Sequence, residues 1–267
     1  MPSRALPRLA DCTWLEARAL GRDRRVVVLL PVGAVEQHGP HLPLSVDWLG
    51  AEELAHALTP HLRRAGWKPL LAPSLPYGAS PLAADWPGTI SLSVPTLRRV
   101  LVDVVRALAS HGFRRVVLTN YQADPGHLRA MALARRDLSR VRGLTVLFAG
   151  FTPDPASPML TPRVTRLLRS PRPEREWHSG EMETSMMLHA APHLVRRAVA
   201  RRLPPAWIDW QAALRRRGAT FRSMHPAGRG YFGSPAHGRA ATGRRAMALR
   251  GRLIAAVLVT ALKRGAR

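Results

Sequence analysis

The sequence predicts an α/β protein, a layered α/β/α single domain over residues 1–267 with a largely parallel central sheet. The first observation is a continuous apolar run, Val26–Val32, which is rich in β-branched residues and ends at Gly33, as a strand buried on both faces does. The second is that similar runs, at residues 116–119 and 144–149, alternate with segments of helical spacing. Such alternation is typical of a parallel sheet covered by helices.

Each further element follows from its own local pattern. After a polar loop, residues 51–64 carry leucines and alanines at helical spacing, and residues 70–72 form a short second strand. Pro95 opens a helix at 97–111 that Gly112 closes, the third strand is 116–119, and a helix follows at 126–138. A strand at 144–149 and a closing apolar helix at 244–262 complete the domain.

Composition limits the location of the protein and the kind of metal site it can build. We expect a cytoplasmic protein without a membrane partner, because no N-terminal stretch has a signal-peptide pattern and no apolar run approaches roughly 20 residues. Cys12 is the single cysteine, which excludes an internal disulfide and a cysteine-based zinc cluster. Any metal ion must therefore be bound by histidines and carboxylates.

The chain is strongly basic, with a formal charge of +24 from 41 Lys+Arg against 17 Asp+Glu. Such a surplus is found in proteins that bind nucleic acids or other anions. The arginines, however, are scattered in pairs such as Arg63-Arg64 and Arg135-Arg136 and do not cluster on a recognisable module. We interpret them as solvated surface, so a nucleic-acid partner is not expected, and an arginine-rich anion or nucleic-acid binder is a lesser alternative.

The loop after the first strand carries the residues best suited to chemistry. Within twelve residues it contains Glu36, His38, His41 and Asp47. Carboxylates and an imidazole suit a divalent ion such as zinc, manganese or iron, and in extended chain Glu36 and His38 point to the same side. The alternative is a polar loop in which these groups pair only with each other and with the backbone.

Two further polar clusters begin at Asn120 and His178. Sites in parallel α/β folds collect at the carboxyl ends of the strands, so we expect the clusters at Glu36, Asn120 and His178 to meet if each follows a strand. The first two follow predicted strands. The third follows an irregular stretch rich in arginine and proline, residues 161–176.

Four motifs resemble those of the creatininase family of metal-dependent amidohydrolases. Residues 36–43, E-Q-H-G-P-H-L-P, followed by Asp47, match the opening signature of that family almost letter for letter. Residues 76–80, 178–185 and 230–235 are similar to its second loop, its H-A-G-E-x-E-T-S motif and its late G-x-x-G-x-P turn. The resemblance implies one or two divalent metal ions (zinc, manganese or iron) as cofactors, a small-molecule substrate and a homo-oligomer.

The resemblance also implies roles for single residues. Glu36 would bind one metal ion, His38 a second, and Asp47 would bridge the two. His178 takes the position of the catalytic histidine, and Glu183 is the acid of the same motif, as a ligand or as a base. Three further residues are predicted to contact the substrate, namely Tyr121, Trp177 and Ser80.

The chain also departs from the family pattern. Gln122 stands where family members carry a metal-binding histidine, and Asp124 stands where creatininase has a ligating glutamate. Each keeps an oxygen that can bind a metal ion, so both remain predicted ligands. Trp177 stands where creatininase has a glutamate, which argues against creatinine as the substrate.

These patterns together predict a metal-dependent amidohydrolase that cleaves the C–N bond of a cyclic amide, lactam or formamide. The alternative is a catalytically impaired family member that binds a small molecule or a partner, because loss of the histidine at position 122 would empty one metal position. Metal content separates these two hypotheses. A steep dependence of binding on salt would identify the anion binder.

Overall fold

The first strand, β1 (Val26–Val32), is buried along its whole length, as its run of valine and leucine predicts. The structure is a computed structural model, and it describes residues 5–154, 158–216, 218–225 and 227–264. β1 pairs in parallel with β2 (Lys68–Leu71) and with β3 (Arg115–Asn120), and β3 pairs in parallel with β4 (Thr145–Gly150). The sheet order is therefore β2-β1-β3-β4.

Helices cover both faces of this sheet. In chain order the helices of the described residues are α1 (Trp14–Arg22), α2 (Val46–Arg64), α3 (Val94–Ser110), α4 (Pro125–Leu138), α5 (Pro162–Thr165), α6 (Glu181–Ala190), α7 (Arg197–Ala200), α8 (Trp210–Leu214), α9 (Phe221–Met224) and α10 (Ala240–Arg264). Val28 and Leu30 of β1 pack with α3 and α4, whereas Val27 and Leu29 pack with α2 and α10. Successive strand residues point to opposite faces, which produces the predicted α/β/α layers.

The strand order creates a crevice between β1 and β3. The chain leaves β1 toward β2 on one side and leaves β3 toward β4 on the other, so the connections diverge at the carboxyl ends of two adjacent strands. Ligands of open parallel sheets bind at such a switch point. The loop after β1 and the loop after β3 both open into it.

The structure confirms the parallel sheet and corrects several boundaries. The largest shift is in α2, which begins at Val46 and not at residue 51, so that Asp47 lies in its first turn. The helix was predicted from the apolar spacing that starts at residue 51, whereas Ser45, a residue type typical of helix starts, marks the earlier boundary. The other predicted strands and helices are shifted by up to four residues at their ends.

The polar cluster at His178 does not follow a strand. Short turns of helix fill the stretch before it, and α6 begins three residues later, at Glu181. Within the described residues, no helix is long and apolar enough to cross a membrane. The assignment of residues 1–267 to a single domain stays a prediction.

Candidate metal centre and active site

The loop after β1 brings three predicted site residues to the crevice. Glu36 and His38 lie in the loop itself, and Asp47 reaches the same place from the first turn of α2. Gly33 allows this close approach, because a methyl group at its α-carbon would lie 2.6 Å from Cα of Trp48. The glycine that ends the first strand therefore sets the position of the Asp47 carboxylate.

The backbone fixes the orientation of the His38 ring. Its Nδ1 lies 3.1 Å from the carbonyl oxygen of Glu36, and a carbonyl can only accept, so Nδ1 carries the proton. Nε2 is left with its lone pair. It lies 3.5 Å from Oδ1 of Asp47 and 3.6 Å from Oε2 of Glu183. Among the described residues, neither Nε2 of His38 nor Oδ2 of Asp47 has a hydrogen-bond partner, although both are buried.

Glu183 enters the site from the first turn of α6. The amide N–H of Ser179 donates to its Oε2 at 2.6 Å and fixes the carboxylate. Ser179 has a φ of 56°, the left-handed region that side chains other than glycine rarely adopt. Among the described residues it is the one non-glycine residue with positive φ, and such strain concentrates at functional sites.

His178 faces Glu36 across the crevice. Its Nε2 lies 2.9 Å from the carbonyl oxygen of Gln37 and 3.1 Å from the side-chain nitrogen of the same residue. We assign the ring proton to Nε2 on the shorter contact, which leaves the lone pair on Nδ1. That Nδ1 lies 3.7 Å from Oε1 of Glu36. The ring also packs 4.3 Å from the ring of His38 and 4.3 Å from that of Phe221, measured between centroids.

The loop after β3 closes the other side of the crevice. The Gln122 amide nitrogen donates to Oε2 of Glu36 and, at 3.0 Å, to Oγ of Ser80. The Gln122 amide oxygen accepts from the N–H of Asp124 at 3.0 Å. Gln122 therefore contacts a predicted metal ligand as a hydrogen-bond donor.

Both carboxylate oxygens of Asp124 accept hydrogen bonds from backbone amides. Oδ1 accepts from the N–H of Gly126 at 2.7 Å, so Asp124 caps α4. Oδ2 accepts from the N–H of Leu82 at 3.0 Å and thereby links the chain at Leu82 to the start of α4. The structure thus gives Gln122 and Asp124 hydrogen-bond partners within the protein. It brings Glu36, His38 and Asp47 together with His178 and Glu183.

Burial perturbs the ionisation of these side chains. Burial first and the neighbouring Asp47 second raise the pKa of Glu36 to about 8. Burial also raises the pKa of Asp47 well above its ordinary value and the pKa of Glu183 to about 7. It lowers the pKa of His178 well below its ordinary value, so this ring is neutral near pH 7. Three buried carboxyl groups therefore face one another without a cationic side chain between them in the described part of the chain.

This arrangement fits a divalent metal ion. Two groups of side chains hold their ligand atoms within 4.8 Å of one another, Glu36 with His38 and His178, and His38 with Asp47 and Glu183. Four ligands at roughly 2.0–2.2 Å around a tetrahedral zinc ion lie roughly 3.3–3.6 Å apart. The distances from His38 to Asp47 and Glu183 agree with that spacing, and the partnerless Nε2 and Oδ2 atoms point to a missing cation.

Above these residues lies a cavity of about 200 Å³ with one acidic and one aromatic wall. Trp177 forms the centre of the aromatic wall, with ring centroids 5.7 Å from Trp210 and 5.2 Å from Phe221. Among the described residues that line the cavity, none is arginine or lysine.

The three predicted substrate contacts have different surroundings. Trp177 lines the cavity. Tyr121 also lines it, but its hydroxyl accepts from Nη1 of the buried Arg250 at 2.9 Å. Ser80 is fully buried and bonds to Gln122, and it is absent from the cavity lining among the described residues.

Sequence patterns missed several residues that shape the site. Gln37 orients His178 through its backbone carbonyl, and Glu176 accepts from the backbone amides of Glu181 and Ser234. Neither role leaves a signal in the sequence. Phe221 and Trp210 could have been noticed as aromatic residues in a polar, arginine-rich region. Two other buried histidines, His41 and His127, belong to neither group of candidate ligands among the described residues.

Comparison with known proteins agrees with this geometry. The profile described as "Creatininase: Creatinine amidohydrolase" matches residues 10–258. The chain belongs to the creatininase family. The creatinine amidohydrolase of Pseudomonas putida is 32% identical over 205 residues, which are 70% of this chain and 73% of that protein. A mycofactocin precursor peptide peptidase of Mycobacterium tuberculosis is 31% identical over 233 residues, 83% of this chain and 80% of that protein.

Solved creatininase structures share the fold. A manganese creatininase superposes with a TM-score of 0.72 at 28% identity, covering 95% of this chain and 98% of its own. A mutant creatininase of the Zn-Zn type superposes with a TM-score of 0.75 at 26% identity, covering 95% and 97%. The resemblance seen in the sequence is confirmed, and the chain is a creatininase-family hydrolase. Since the relatives include a peptidase, membership alone does not define which C–N bond is cleaved.

Proposed function

We propose that this protein is a metal-dependent amidohydrolase that cleaves a C–N bond of an uncharged amide. The observation that carries the proposal is the buried Nε2 of His38, which faces the carboxylates of Asp47 and Glu183 and has no hydrogen-bond partner among the described residues. We assign these three side chains as ligands of a divalent ion, zinc or manganese, as named for the related structures. When bound, such an ion polarises an amide carbonyl and lowers the pKa of a bound water.

We assign proton transfer to His178. The residue lines the cavity, its Nδ1 lies 3.7 Å from Oε1 of Glu36, and its Nε2 faces the carbonyl of Gln37. Burial keeps the ring neutral, since it lowers the pKa of His178. A neutral imidazole can take a proton at Nδ1 and give it to the departing nitrogen, and a positioned acid or base of this kind contributes about 10² to 10⁴ in rate.

We infer the substrate class from the cavity. A lining without arginine or lysine among its described residues offers no partner to a phosphate or carboxylate, so an anionic substrate is disfavoured. The aromatic wall of Trp177, Trp210 and Phe221 suits a flat or apolar group. We therefore favour a neutral cyclic amide, lactam or formamide. The related peptidase makes a short peptide the second candidate.

The test is a hydrolysis screen with the metal ion controlled. The chain is stripped with a chelator, reloaded with zinc or manganese, and offered neutral lactams, cyclic ureides, formamides and short peptides, with release of amine as the readout. We expect turnover of a neutral amide that depends on added metal and falls by about 10² to 10⁴ in His178→Ala. If the reloaded, folded chain hydrolyses none of these compounds yet binds one of them, the hydrolase proposal is wrong. The chain is then a catalytically impaired family member that binds a small molecule. We also propose a homo-oligomer in the cytoplasm, as the sequence predicted.

A further inference from the structure

The Gln122 side chain extends from the loop after β3 to the loop after β1, and both ends of its amide are engaged. The nitrogen donates to Glu36 and to Ser80, and the oxygen accepts from the N–H of Asp124. Gln122 is only 4% exposed. The amide is held by three groups of the protein.

These partners allow only one orientation of the amide. With Glu36 ionised, as it is beside a bound cation, turning the amide over would place its oxygen against the Glu36 carboxylate oxygen, two acceptors facing each other. It would also place the NH₂ group against the N–H of Asp124, two donors facing each other. The side-chain oxygen of Gln122 is its one side-chain atom able to bind a hard cation. This oxygen therefore remains hydrogen-bonded to the backbone N–H of Asp124. The NH₂ group faces Glu36, and such a group repels a cation.

The two groups of candidate ligands also compete for one atom. His38 belongs to both, but its Nδ1 carries the proton that bonds to the Glu36 carbonyl, so only Nε2 can bind a metal ion. One imidazole lone pair serves one ion. Without His38, the group around Glu36 retains only Glu36 and His178. The group of His38, Asp47 and Glu183 keeps all three of its ligands.

From these contacts we propose that the chain holds a single divalent ion, on His38, Asp47 and Glu183. The Gln122 NH₂ group hydrogen-bonds the Glu36 carboxylate where a second ion would otherwise bind. Glu36 and Gln122 are then positioning residues, and the Glu36 carboxylate faces His178 without a metal ion between them. This inference rests on the metal centre proposed above, and it deepens that proposal by setting the number of ions and the ligand set.

The experiment counts zinc ions per folded chain. Apo protein is titrated with zinc in competition with a chromophoric chelator, and the product is checked by elemental analysis. The variants are Glu36→Gln and Gln122→His, with Gln122→Leu as the matched control that removes the amide without adding a ligand. We expect one zinc ion in the wild type, one in Glu36→Gln and one in Gln122→Leu. We expect two in Gln122→His, because the imidazole supplies the missing ligand.

Two zinc ions in the wild type, falling to one in Glu36→Gln, would overturn the inference while leaving the proposed metal centre intact. A folded wild type that takes up no zinc would overturn both. A folded Gln122→His that binds one ion would contradict the assignment of Gln122 as the residue that excludes the second. If that variant does not fold, the counts for the wild type and Glu36→Gln still decide the question.

Discussion

The Nε2 atom of His38 lies 3.5 Å from Oδ1 of Asp47, across the junction between the loop after β1 and the first turn of α2. Both side chains are buried, and each has a polar atom without a hydrogen-bond partner in the part of the chain that is described. Burying such atoms is costly unless a further group satisfies them. A divalent ion satisfies both at once and balances the charge of the neighbouring carboxylates.

Replacing His178 by alanine should separate metal binding from turnover. We expect His178→Ala to retain its metal ion, because His38, Asp47 and Glu183 remain, and to lose about 10² to 10⁴ in kcat, because the proton carrier is gone. Metal content and amide turnover are measured on the same preparation. The control is His56→Ala, an exposed histidine on α2, which should alter neither quantity. Full turnover in His178→Ala would refute the role of this ring.

The stability of the metal-free protein should fall as pH rises from about 6.5 to 8. Burial raises the pKa of Glu36 to about 8 and of Glu183 to about 7, so the folded apo chain binds more protons there than the unfolded chain. Stability then decreases with rising pH. The histidines with lowered pKa values, His41 and His127, oppose this trend at the lower end of the window, because unfolded histidine titrates near pH 6.5, and their effect fades toward pH 8.

Melting temperatures of apo and zinc-loaded protein measured at pH 6.5, 7.2 and 8 test this linkage. Zinc binds the ionised carboxylates, so the stabilisation by zinc should grow over the same window. An apo melting temperature that rises from pH 6.5 to 8 would contradict the assignment of these carboxyl groups as protonated in the apo state.

Substitution of Gly33 should lower metal affinity, because it shifts the backbone that carries Asp47. Gly33→Ala forces a methyl group against Trp48, which we expect to cost about 1–3 kcal/mol of stability and to shift the first turn of α2. Metal affinity should fall as Asp47 moves. The control is Gly143→Ala, which strains a left-handed residue in open space and should lower stability by about 1 kcal/mol without changing metal affinity. Equal metal affinity in the two variants would argue against this role of Gly33.

The aromatic wall should determine substrate affinity. Trp210→Ala removes the ring that stacks 5.7 Å from Trp177, and the loss of about 1.4 kcal/mol of binding should raise KM about tenfold with kcat little changed. Trp14→Ala is the matched control, since Trp14 is 70% exposed on α1. Steady-state kinetics on the best amide from the screen gives both constants. An unchanged KM in Trp210→Ala would show that the aromatic wall does not contribute to substrate binding.

Local sequence patterns predicted the strands and the centre of the site, because the residues that form each of them lie close together in the chain. The valine and leucine run of β1 is a strand because it is buried on both faces, and Glu36 and His38 follow it directly in the chain. Asp47 was predicted as a ligand but placed in a loop, because the helix was predicted from the apolar spacing that starts at residue 51 and not from Ser45, a typical helix-start residue.

Other features depend on contacts that no local pattern encodes. The sequence predicted no strand before His178 and left its placement to inference, and the folded chain shows it beside the positive φ of Ser179 and the carbonyl of Gln37. Gln122 and Asp124 each have an oxygen that could bind metal, and only the folded chain shows the backbone amides that these oxygens accept from. Phe221 comes close to Trp177 only through the tertiary fold.

The central claim is a metal ion on His38, Asp47 and Glu183, and its most direct test is elemental analysis by mass spectrometry. The wild type is purified without added metal or a nickel affinity step, beside Asp47→Ala and the control Asp103→Asn, an exposed carboxylate on α3. We expect near-stoichiometric zinc, manganese or iron in the wild type and in Asp103→Asn, and its loss in Asp47→Ala. A wild type that is metal-free and stays empty when offered each ion, or a metal content that Asp47→Ala leaves unchanged, would contradict the account.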